Sequence, residues 1–286
     1  MLREPHNQKK HLSKAFLYFL MGCLFLAAWL LPAVASDGLM TIHFIDVGYG
    51  DAILIELPDG EAVLIDAGLP EYAGRVTEYL AGRNIKDLQT AILTHPHENH
   101  FGGFLSLAKK WPMGKFYING DADRAEEGYE DLMKTLEGKQ VPVTILKEGD
   151  ELLLGGEKVR FSVLHPSGLT GSANENVLVF WVVFNETSFL LTSDIQELQQ
   201  DELLARYPQV RSANVVQVPH HGGRMTDLFA SSFENDVMFV VLTGTNDYGK
   251  PFVEELDKLK GEVFRTDLHG SIVLQSDGYQ VKVINE

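Results

Sequence analysis

The sequence is nearly devoid of cysteine: Cys23 is the only one among 286 residues. It lies inside an apolar segment close to the N-terminus, so the rest of the chain carries no thiol. Disulfide bridges and cysteine metal ligands are therefore excluded beyond that segment. Any metal ion in the remainder must be held by His, Asp, Glu or Asn side chains.

Basic residues are also scarce, because 24 Lys and Arg oppose 40 Asp and Glu and the formal net charge is −16. Residues 1–35 contain four of the basic residues and one acid, which leaves about −19 on the remainder. Such a surface repels polyanions at long range, and tight nucleic-acid binding normally needs clustered Lys and Arg. We therefore expect no strong basic nucleic-acid surface.

Several sequence features that would divide the chain or suggest other enzymes are missing. It has no Gly-x-Ser-x-Gly elbow, no phosphate loop and no dinucleotide fingerprint, so a serine hydrolase or a nucleotide enzyme has no positive support. It also has no long Pro/Gly/Ser linker, low-complexity tract or clear repeat. The length then suits one domain, residues 37–286, behind an N-terminal segment, residues 1–36.

The N-terminal segment contains an uncharged apolar run, residues 15–35, that follows a basic stretch. About 20 apolar residues are long enough to span a bilayer. However, Pro32 and the Ala33-x-Ala35 pattern are typical of a signal-peptidase site and slightly favour cleavage. The segment is predicted to be either a cleaved signal peptide or a membrane anchor. In both cases the domain is expected outside the cytoplasm, secreted or anchored, with membrane contact only through residues 15–35.

A histidine cluster dominates the remaining sequence. His95, His97 and His100 fall within six residues, directly after the apolar run Thr90–Leu93, which reads as a short buried strand. A His-x-His pair just past a strand end can direct two imidazoles at one point, and His100 can face the same point from a helix start. Neutral imidazole is the commonest ligand of zinc-type ions. The cluster therefore predicts a metal site.

Polar residues follow other predicted strands in the same way, namely Asp66, Asp194 and His220. The pattern is two series of strands mixed with helices, and helices are predicted at 71–84, 124–136, 196–207 and 252–260. This arrangement favours two sheets packed face to face, with helices outside and a site along one edge. Asp194 suits a bridging carboxylate, although a helix N-cap is an equal alternative. Either His220 or His221 can complete the ligand set.

Four further stretches stand beside the histidine motif: Phe44-Ile45-Asp46-Val47-Gly48-Tyr49-Gly50-Asp51-Ala52, Leu64-Ile65-Asp66-Ala67-Gly68, Leu190-Leu191-Thr192-Ser193-Asp194 and Val218-Pro219-His220-His221-Gly222. Together they resemble the metallo-β-lactamase superfamily, and in particular the metallo-β-lactamase domain of ComEC-type competence proteins. The resemblance covers about residues 40–284. It implies an α+β fold, a four-layer αβ/βα sandwich, with one or two divalent metal ions, Zn or Mn, at the sheet edge.

The resemblance also implies a ligand set. The first ion would be held by His95, His97 and Asp194, and the second by His100, His220 and Asp194, with Asn99 contributing weakly. Asn99 stands where the family has Asp, so it carries no charge and cannot act as a base. The catalytic roles would fall to Asn99 and Asp194. Further candidates for the site are His165, His221, His269 and Asp66.

Three hypotheses for function remain open at this point. The first is an exported metal-dependent hydrolase of phosphodiester bonds, of the ComEC-like nuclease class. The second keeps the metals but acts on a small molecule, a lactone, thioester or β-lactam, which the acidic surface mildly favours over long DNA. The third is a catalytically lapsed binding module that retains the fold, for which Asn99 is the main support.

Overall fold

The computed structural model describes residues 38–234 and 236–284. The segment 1–36, predicted to be a signal peptide or an anchor, lies outside the described residues. Within the part that is described, no helix has both the length and the apolar character needed to cross a membrane.

The described strands, in chain order, are β1 (Met40–Phe44), β2 (Ile53–Glu56), β3 (Ala62–Ile65), β4 (Leu88–Ile92), β5 (Met113–Ile118), β6 (Val143–Ile145), β7 (Glu151–Leu154), β8 (Val159–His165), β9 (Val179–Phe184), β10 (Thr187–Leu191), β11 (Val215–Gln217), β12 (Met238–Val241), β13 (Glu262–Arg265), β14 (Ile272–Ser276) and β15 (Val281–Ile284). The α-helices of the same residues are α1 (Ala73–Gly82), α2 (Glu98–Phe101), α3 (Phe104–Lys110), α4 (Tyr129–Gly138), α5 (Glu197–Arg206), α6 (Asp227–Ser231), α7 (Val253–Leu256) and α8 (Thr266–His269).

The strands form two sheets. One has the order β15-β14-β1-β2-β3-β4-β5-β6, and the other has the order β13-β12-β11-β10-β9-β8-β7. Strands β3, β4, β5 and β6 run parallel, and so do β10, β11, β12 and β13. The strand sequences fit this arrangement, because Ala62–Ile65 is a continuous apolar run that is buried along its whole length, as parallel strands covered on both faces require.

Three apolar layers hold the sheets and helices together. Phe44 of one sheet and Phe180 of the other belong to the core between the sheets. A second core packs α1, α3 and α4 against the outer face of the first sheet, with Phe104 fully buried. A third core packs α5 and α6 against the second sheet, with Phe229 fully buried. The predicted four-layer αβ/βα sandwich is confirmed.

Two predicted helices are shorter than the sequence pattern indicated. The helix predicted at 124–136 begins only at Tyr129, because Gly128 adopts a left-handed conformation with φ of 95° directly before it. The helix predicted at 252–260 ends at Leu256, since the chain must return to extended geometry to pair Glu262–Arg265 with β12. Neither difference affects the edge at which the histidines lie.

The carboxyl ends of the parallel strands bring the polar residues to one edge. Thr94 follows β4 in the first sheet, and Ser193 follows β10 in the second. The Ser193 hydroxyl donates to the Thr94 hydroxyl at 2.9 Å, which joins the two sheets at this edge. The Thr94 carbonyl also accepts from the Leu178 N–H at 3.0 Å. Sheet ends of this kind are where α/β proteins commonly place ligands.

Candidate metal centre

Several residues at the strand ends around the site have an unusual backbone conformation. Asp66, Ser193, His220 and His221 all have positive φ, between 48° and 59°. Non-glycine residues in this left-handed region cost about 1–3 kcal/mol each and persist only where surrounding contacts impose them. Three of these residues follow strands of the second sheet: Ser193 comes after β10, and His220 and His221 come after β11.

The buried carboxylate of Asp194 lies at the centre of the cluster, and its two oxygens face different histidines. Oδ1 is 3.5 Å from His100 Nε2 and 3.4 Å from His221 Nε2. Oδ2 is 3.5 Å from His220 Nε2 and 3.9 Å from His95 Nε2. We call these groupings the Oδ1 side (His100 and His221) and the Oδ2 side (His95, His97 and His220).

The Oδ2 side consists of neutral imidazoles. His97 Nδ1 lies 3.0 Å from His95 Nε2, and the amide nitrogens of Asn174 and Gln196 lie 3.2 and 3.1 Å from the two ring nitrogens of His220. Burial lowers the pKa of His95 well below its usual range and lowers that of His220 to about 4. Neutral imidazole is the form that binds metal ions, so these rings are ready to do so.

The Oδ1 side has carboxylates behind its imidazoles. His100 Nδ1 lies 2.7 Å from Asp66 Oδ2, and His221 Nδ1 lies 3.2 Å from Asp51 Oδ1. The same His221 nitrogen is 3.0 Å from the Leu242 carbonyl, which leaves Nε2 directed at Asp194. A carboxylate or carbonyl on the far nitrogen is the usual support of a metal-binding histidine, because it fixes the ring and its tautomer.

These carboxylates change the protonation of the Oδ1 side. Burial alone would lower the pKa of His100, but Asp194 and Asp66 raise it well above the usual range. Burial likewise opposes the charge on His221, yet Asp194 and Asp51 raise its pKa to about 9. The buried carboxylates thus stabilise positive charge on these two imidazoles. A bound divalent cation would supply positive charge at the same place.

The donor atoms fit a metal centre by a second criterion. Asp194 Oδ1, His100 Nε2 and Asp51 Oδ1 are buried and have no hydrogen-bond partner. Buried polar atoms are seldom left unpaired without a reason such as an ion. In the described parts of the chain, three sets of side chains bring ligand atoms within 4.8 Å of one another: His95, His100 and Asp194; Asp51, Asp66 and His100; and Asp51, Asp194 and His221. Nitrogen and carboxylate donors of this kind suit divalent transition metals.

The structure places His220 and His221 differently from the sequence expectation. His221 rather than His220 lies beside His100, while His220 lies on the same oxygen of Asp194 as His95. Asn99 does reach the Oδ1 side, where its amide nitrogen is 2.9 Å from His221 Nε2. The Asp66 carboxylate contacts the far nitrogen of His100, on the side of the ring away from Asp194.

The two remaining candidates do not join the cluster. His165 ends β8, and its Nε2 lies 2.8 Å from the Glu175 carbonyl. His269 ends α8 on the exposed surface, where its Nδ1 accepts from the Arg265 N–H at 3.0 Å. Each ring has one nitrogen engaged with a local backbone group, and neither residue belongs to the sets whose ligand atoms lie within 4.8 Å of one another in the described part of the chain.

Asp51 is the residue that the ligand prediction missed. It lies on the loop after β1, where the Asp51 N–H donates to the Asn99 carbonyl at 3.2 Å. Gly50 permits this approach, because a Cβ at this position would lie 2.2 Å from the Asn99 oxygen. Two glycines flanking Tyr49 were the available signal, since they allow a loop to lie directly against the histidine motif.

An open cleft of about 470 Å³ leads to the centre, within the usual range of ligand sites. It is lined by Asp194, by residues of the Oδ2 side and by neighbouring loops, among them Tyr49, His97, Asn174, His220, Tyr248 and Lys250. Asp194 and the Oδ2 side are therefore accessible to a small substrate.

Comparison with known proteins agrees with this geometry. ComE operon protein 3 of Bacillus subtilis (strain 168) is 26% identical over 265 residues, which is 84% of this chain and 33% of that protein. The chain thus spans about a third of that relative's length. Hydroxyacylglutathione hydrolase of Prochlorococcus marinus (strain NATL1A) is 33% identical over 75 residues, 26% of this chain and 28% of that protein.

Among solved structures, the metallo-beta-lactamase fold protein YhfI of Bacillus subtilis superposes with a TM-score of 0.56 at 14% identity. The superposition covers 83% of this chain and 100% of that one, and it supports the fold. The family model of the metallo-beta-lactamase superfamily matches residues 45–231, a range that contains both sides of the site. The chain belongs to the metallo-beta-lactamase superfamily, whose members bind divalent metals in a hydrolase-like fold.

Proposed function

We propose that the protein is a metal-dependent hydrolase of phosphodiester bonds that uses Zn or Mn. The observation that carries the proposal is the position of Asp194, whose two oxygens each face a pair of histidines at the base of an open cleft. Divalent ions in such paired sites supply Lewis acidity toward an oxyanion and activate water at neutral pH.

The side chains of the site would have different roles in that chemistry. His95, His97 and His220 would hold one ion with Asp194 Oδ2, and His100 and His221 would hold the other with Asp194 Oδ1. Asp66 and the Leu242 carbonyl fix the two rings of the Oδ1 side through their far nitrogens, and Asp51 Oδ1 lies 3.2 Å from the same nitrogen of His221. Asn99 lies beside the Oδ1 side and, as an amide, cannot take a proton.

The phosphodiester class is supported by the similarity to ComE operon protein 3 and by Lys250, which lines the cleft together with Asp194. A lysine ammonium is a common partner of phosphate oxygens. The acidic surface opposes a long nucleic acid, so the substrate is expected to be short or to enter by an end.

A second candidate is a hydrolase of thioesters, lactones or β-lactams. It is favoured by the 75-residue similarity to hydroxyacylglutathione hydrolase. A third candidate is a lapsed enzyme that binds its ligand without hydrolysis, and it is favoured by Asn99. All three candidates share the metal centre; the first two differ in the bond that is broken, and the third breaks none.

A hydrolysis panel separates the three candidates. The full-length protein, loaded with Zn or Mn, is assayed against bis(p-nitrophenyl) phosphate, a dinucleotide, a glutathione thioester and a lactone, with Asp194→Asn as the control. We expect phosphodiester hydrolysis that requires metal and is lost in the control. Turnover of only the thioester or lactone supports the second candidate, and turnover that appears only in Asn99→Asp supports the third.

We further propose that the domain works outside the cytoplasm, with residues 1–36 serving as its export signal or anchor. The motivation is the uncharged run followed by the Ala33-x-Ala35 pattern. Fractionation of cells that express the full chain tests it. Protein recovered only from the cytoplasmic fraction would contradict the proposal.

A further inference from the structure

Two tyrosines form an aromatic column from the metal centre to the protein surface. The Tyr49 ring lies 4.5 Å from the His221 ring, measured between centroids. The Tyr248 ring stacks on Tyr49 with centroids 5.3 Å apart and planes inclined by 28°. Tyr248 nevertheless remains 68% exposed, so its ring is accessible from solvent beside the cleft.

Lys250 accompanies this column inside the cleft. Its ammonium lies 3.5 Å from the Tyr49 hydroxyl and 5.8 Å from the centroid of the Tyr248 ring. Lys250 and Tyr248 line the same cleft as Asp194. One planar aromatic surface and one cation therefore lie together at the entrance to the metal centre.

The loop that carries Tyr248 and Lys250 is held in a defined conformation by Asn246. The Asn246 amide donates to the carbonyls of Gly244 and Lys250, both at 2.7 Å. Its oxygen accepts from the backbone N–H groups of Tyr248 and Lys250 at 3.0 and 3.2 Å. The backbone at both residues is thus held before any ligand arrives, which reduces the entropy that the loop loses on binding.

A second pocket beside the aromatic pair is acidic. Its volume is about 330 Å³, and it is lined by Tyr49 and Tyr248 together with Glu98, Glu126 and Asp247, of which Glu126 also lines the cleft. Carboxylates along this rim repel a polyanion that continues past the tyrosines. A ligand with a single ring and few phosphates avoids that repulsion, whereas a long duplex does not.

We propose that Tyr248, backed by Tyr49 and flanked by Lys250, is a nucleobase-binding subsite, so that the metal centre takes short single-stranded phosphodiesters such as dinucleotides. The base stacks on Tyr248, and the adjoining phosphate lies beside Lys250. Stacking on aromatic side chains is available to every base, because every base has a π-face. This inference rests on the proposed phosphodiesterase function and names its substrate class.

The subsite is tested by binding measurements that need no turnover. Calorimetry on the full-length protein, metal-free and zinc-loaded, compares thymidine 5′-monophosphate, thymidine and ribose 5-phosphate. We expect Tyr248→Ala to weaken binding of the nucleotide about tenfold, the order expected for one stacked base, and Tyr248→Trp to preserve it. Lys250→Gln should reduce the affinity for thymidine 5′-monophosphate to the affinity for thymidine. Tyr279→Ala, which alters another exposed tyrosine on the last hairpin, is the matched control and should change nothing.

Three results would overturn the subsite. Ribose 5-phosphate could bind as tightly as the nucleotide in both metal states, or Tyr248→Ala could leave nucleotide binding unchanged. Absence of any nucleotide binding in both metal states has the same consequence. Failure of the phosphodiesterase proposal is distinguishable, because it would appear as absent hydrolysis while the base-dependent binding persists.

Discussion

The two oxygens of Asp194 have surroundings that differ in charge, although each oxygen faces two histidine rings. On the Oδ2 side, burial lowers the pKa values of His95 and His220, and amides lie against His220. On the Oδ1 side, Asp66 and Asp51 stand behind His100 and His221 and contribute to raising their pKa values. One side is thus neutral apart from Asp194, and the other is rich in buried carboxylate.

This difference changes how Asn99 is understood. By sequence alone, an amide at this position removes a negative charge from the second ion's ligand set. In the structure, Asp51 and Asp66 keep two carboxylates within contact of the rings that Asn99 adjoins. The Oδ1 side has therefore lost one ligand charge and retained the charges that support its histidines.

Removal of the shared carboxylate should have the largest effect. Asp194→Asn takes a charged donor from both sides at once, so we expect loss of metal from both and a fall in activity beyond the 10–100-fold typical of a supporting residue. Metal content and the rate of phosphodiester hydrolysis measure this. Retention of two ions in the variant would show that the two sides do not share Asp194.

Changes to the supporting carboxylates should affect one side only. Asp66→Asn and Asp51→Asn each leave the histidines in place but weaken their orientation, so metal affinity of the Oδ1 side should fall about 10–100-fold. Titration with zinc, followed by calorimetry, should show that only one of the two binding steps is weakened. Equal weakening of both steps would contradict the separation of the two sides.

Restoration of the acid at position 99 should have a smaller and opposite effect. Asn99→Asp places a carboxylate within reach of His221 Nε2, which lies 2.9 Å from the present amide nitrogen. We expect about tenfold tighter binding on the Oδ1 side, which corresponds to one charged contact of about 1.5 kcal/mol. The matching control is Asn174→Asp on the Oδ2 side, which should leave the affinity of the Oδ1 side unchanged.

The smallest effect concerns a histidine–carboxylate pair outside the site. His43 is fully buried, and its Nε2 lies 2.8 Å from Glu56 Oε1, a geometry close to that of His100 and Asp66. Glu56→Gln should destabilise the fold by about 1–2 kcal/mol at neutral pH and leave zinc affinity unchanged. Chemical denaturation and calorimetry of the same variant test both statements, and a change in zinc affinity would refute the distinction.

The effect of Glu56 should also depend on pH. The hydrogen bond from His43 lowers the pKa of Glu56 in the folded protein. Its contribution is therefore fully present above the unfolded pKa of about 4.3 and is lost as the pH falls through the lower folded value. The stability difference between wild type and Glu56→Gln should accordingly shrink in acid, and a difference that grows there would contradict this assignment.

Much of the fold and part of the site could be predicted from sequence, for a physical reason. Parallel strands read as apolar runs, and their carboxyl ends share an edge, so His95 and Asp194 could be expected to meet. Asp51 could not be predicted as a member, because its place depends on the close approach of Gly50 to the Asn99 carbonyl. Adjacent His220 and His221 could not be distinguished either, since their directions are set by consecutive left-handed residues.

Zinc stoichiometry of the full-length protein tests the central claim most directly. The protein is stripped of metal, titrated with zinc by calorimetry and then analysed for bound zinc after dialysis. We predict two binding steps that converge on two ions per chain, one of which is weakened about 10–100-fold in Asp66→Asn and strengthened about tenfold in Asn99→Asp. Fewer than about half an equivalent of zinc, with no difference between these variants, would contradict a metal centre at Asp194.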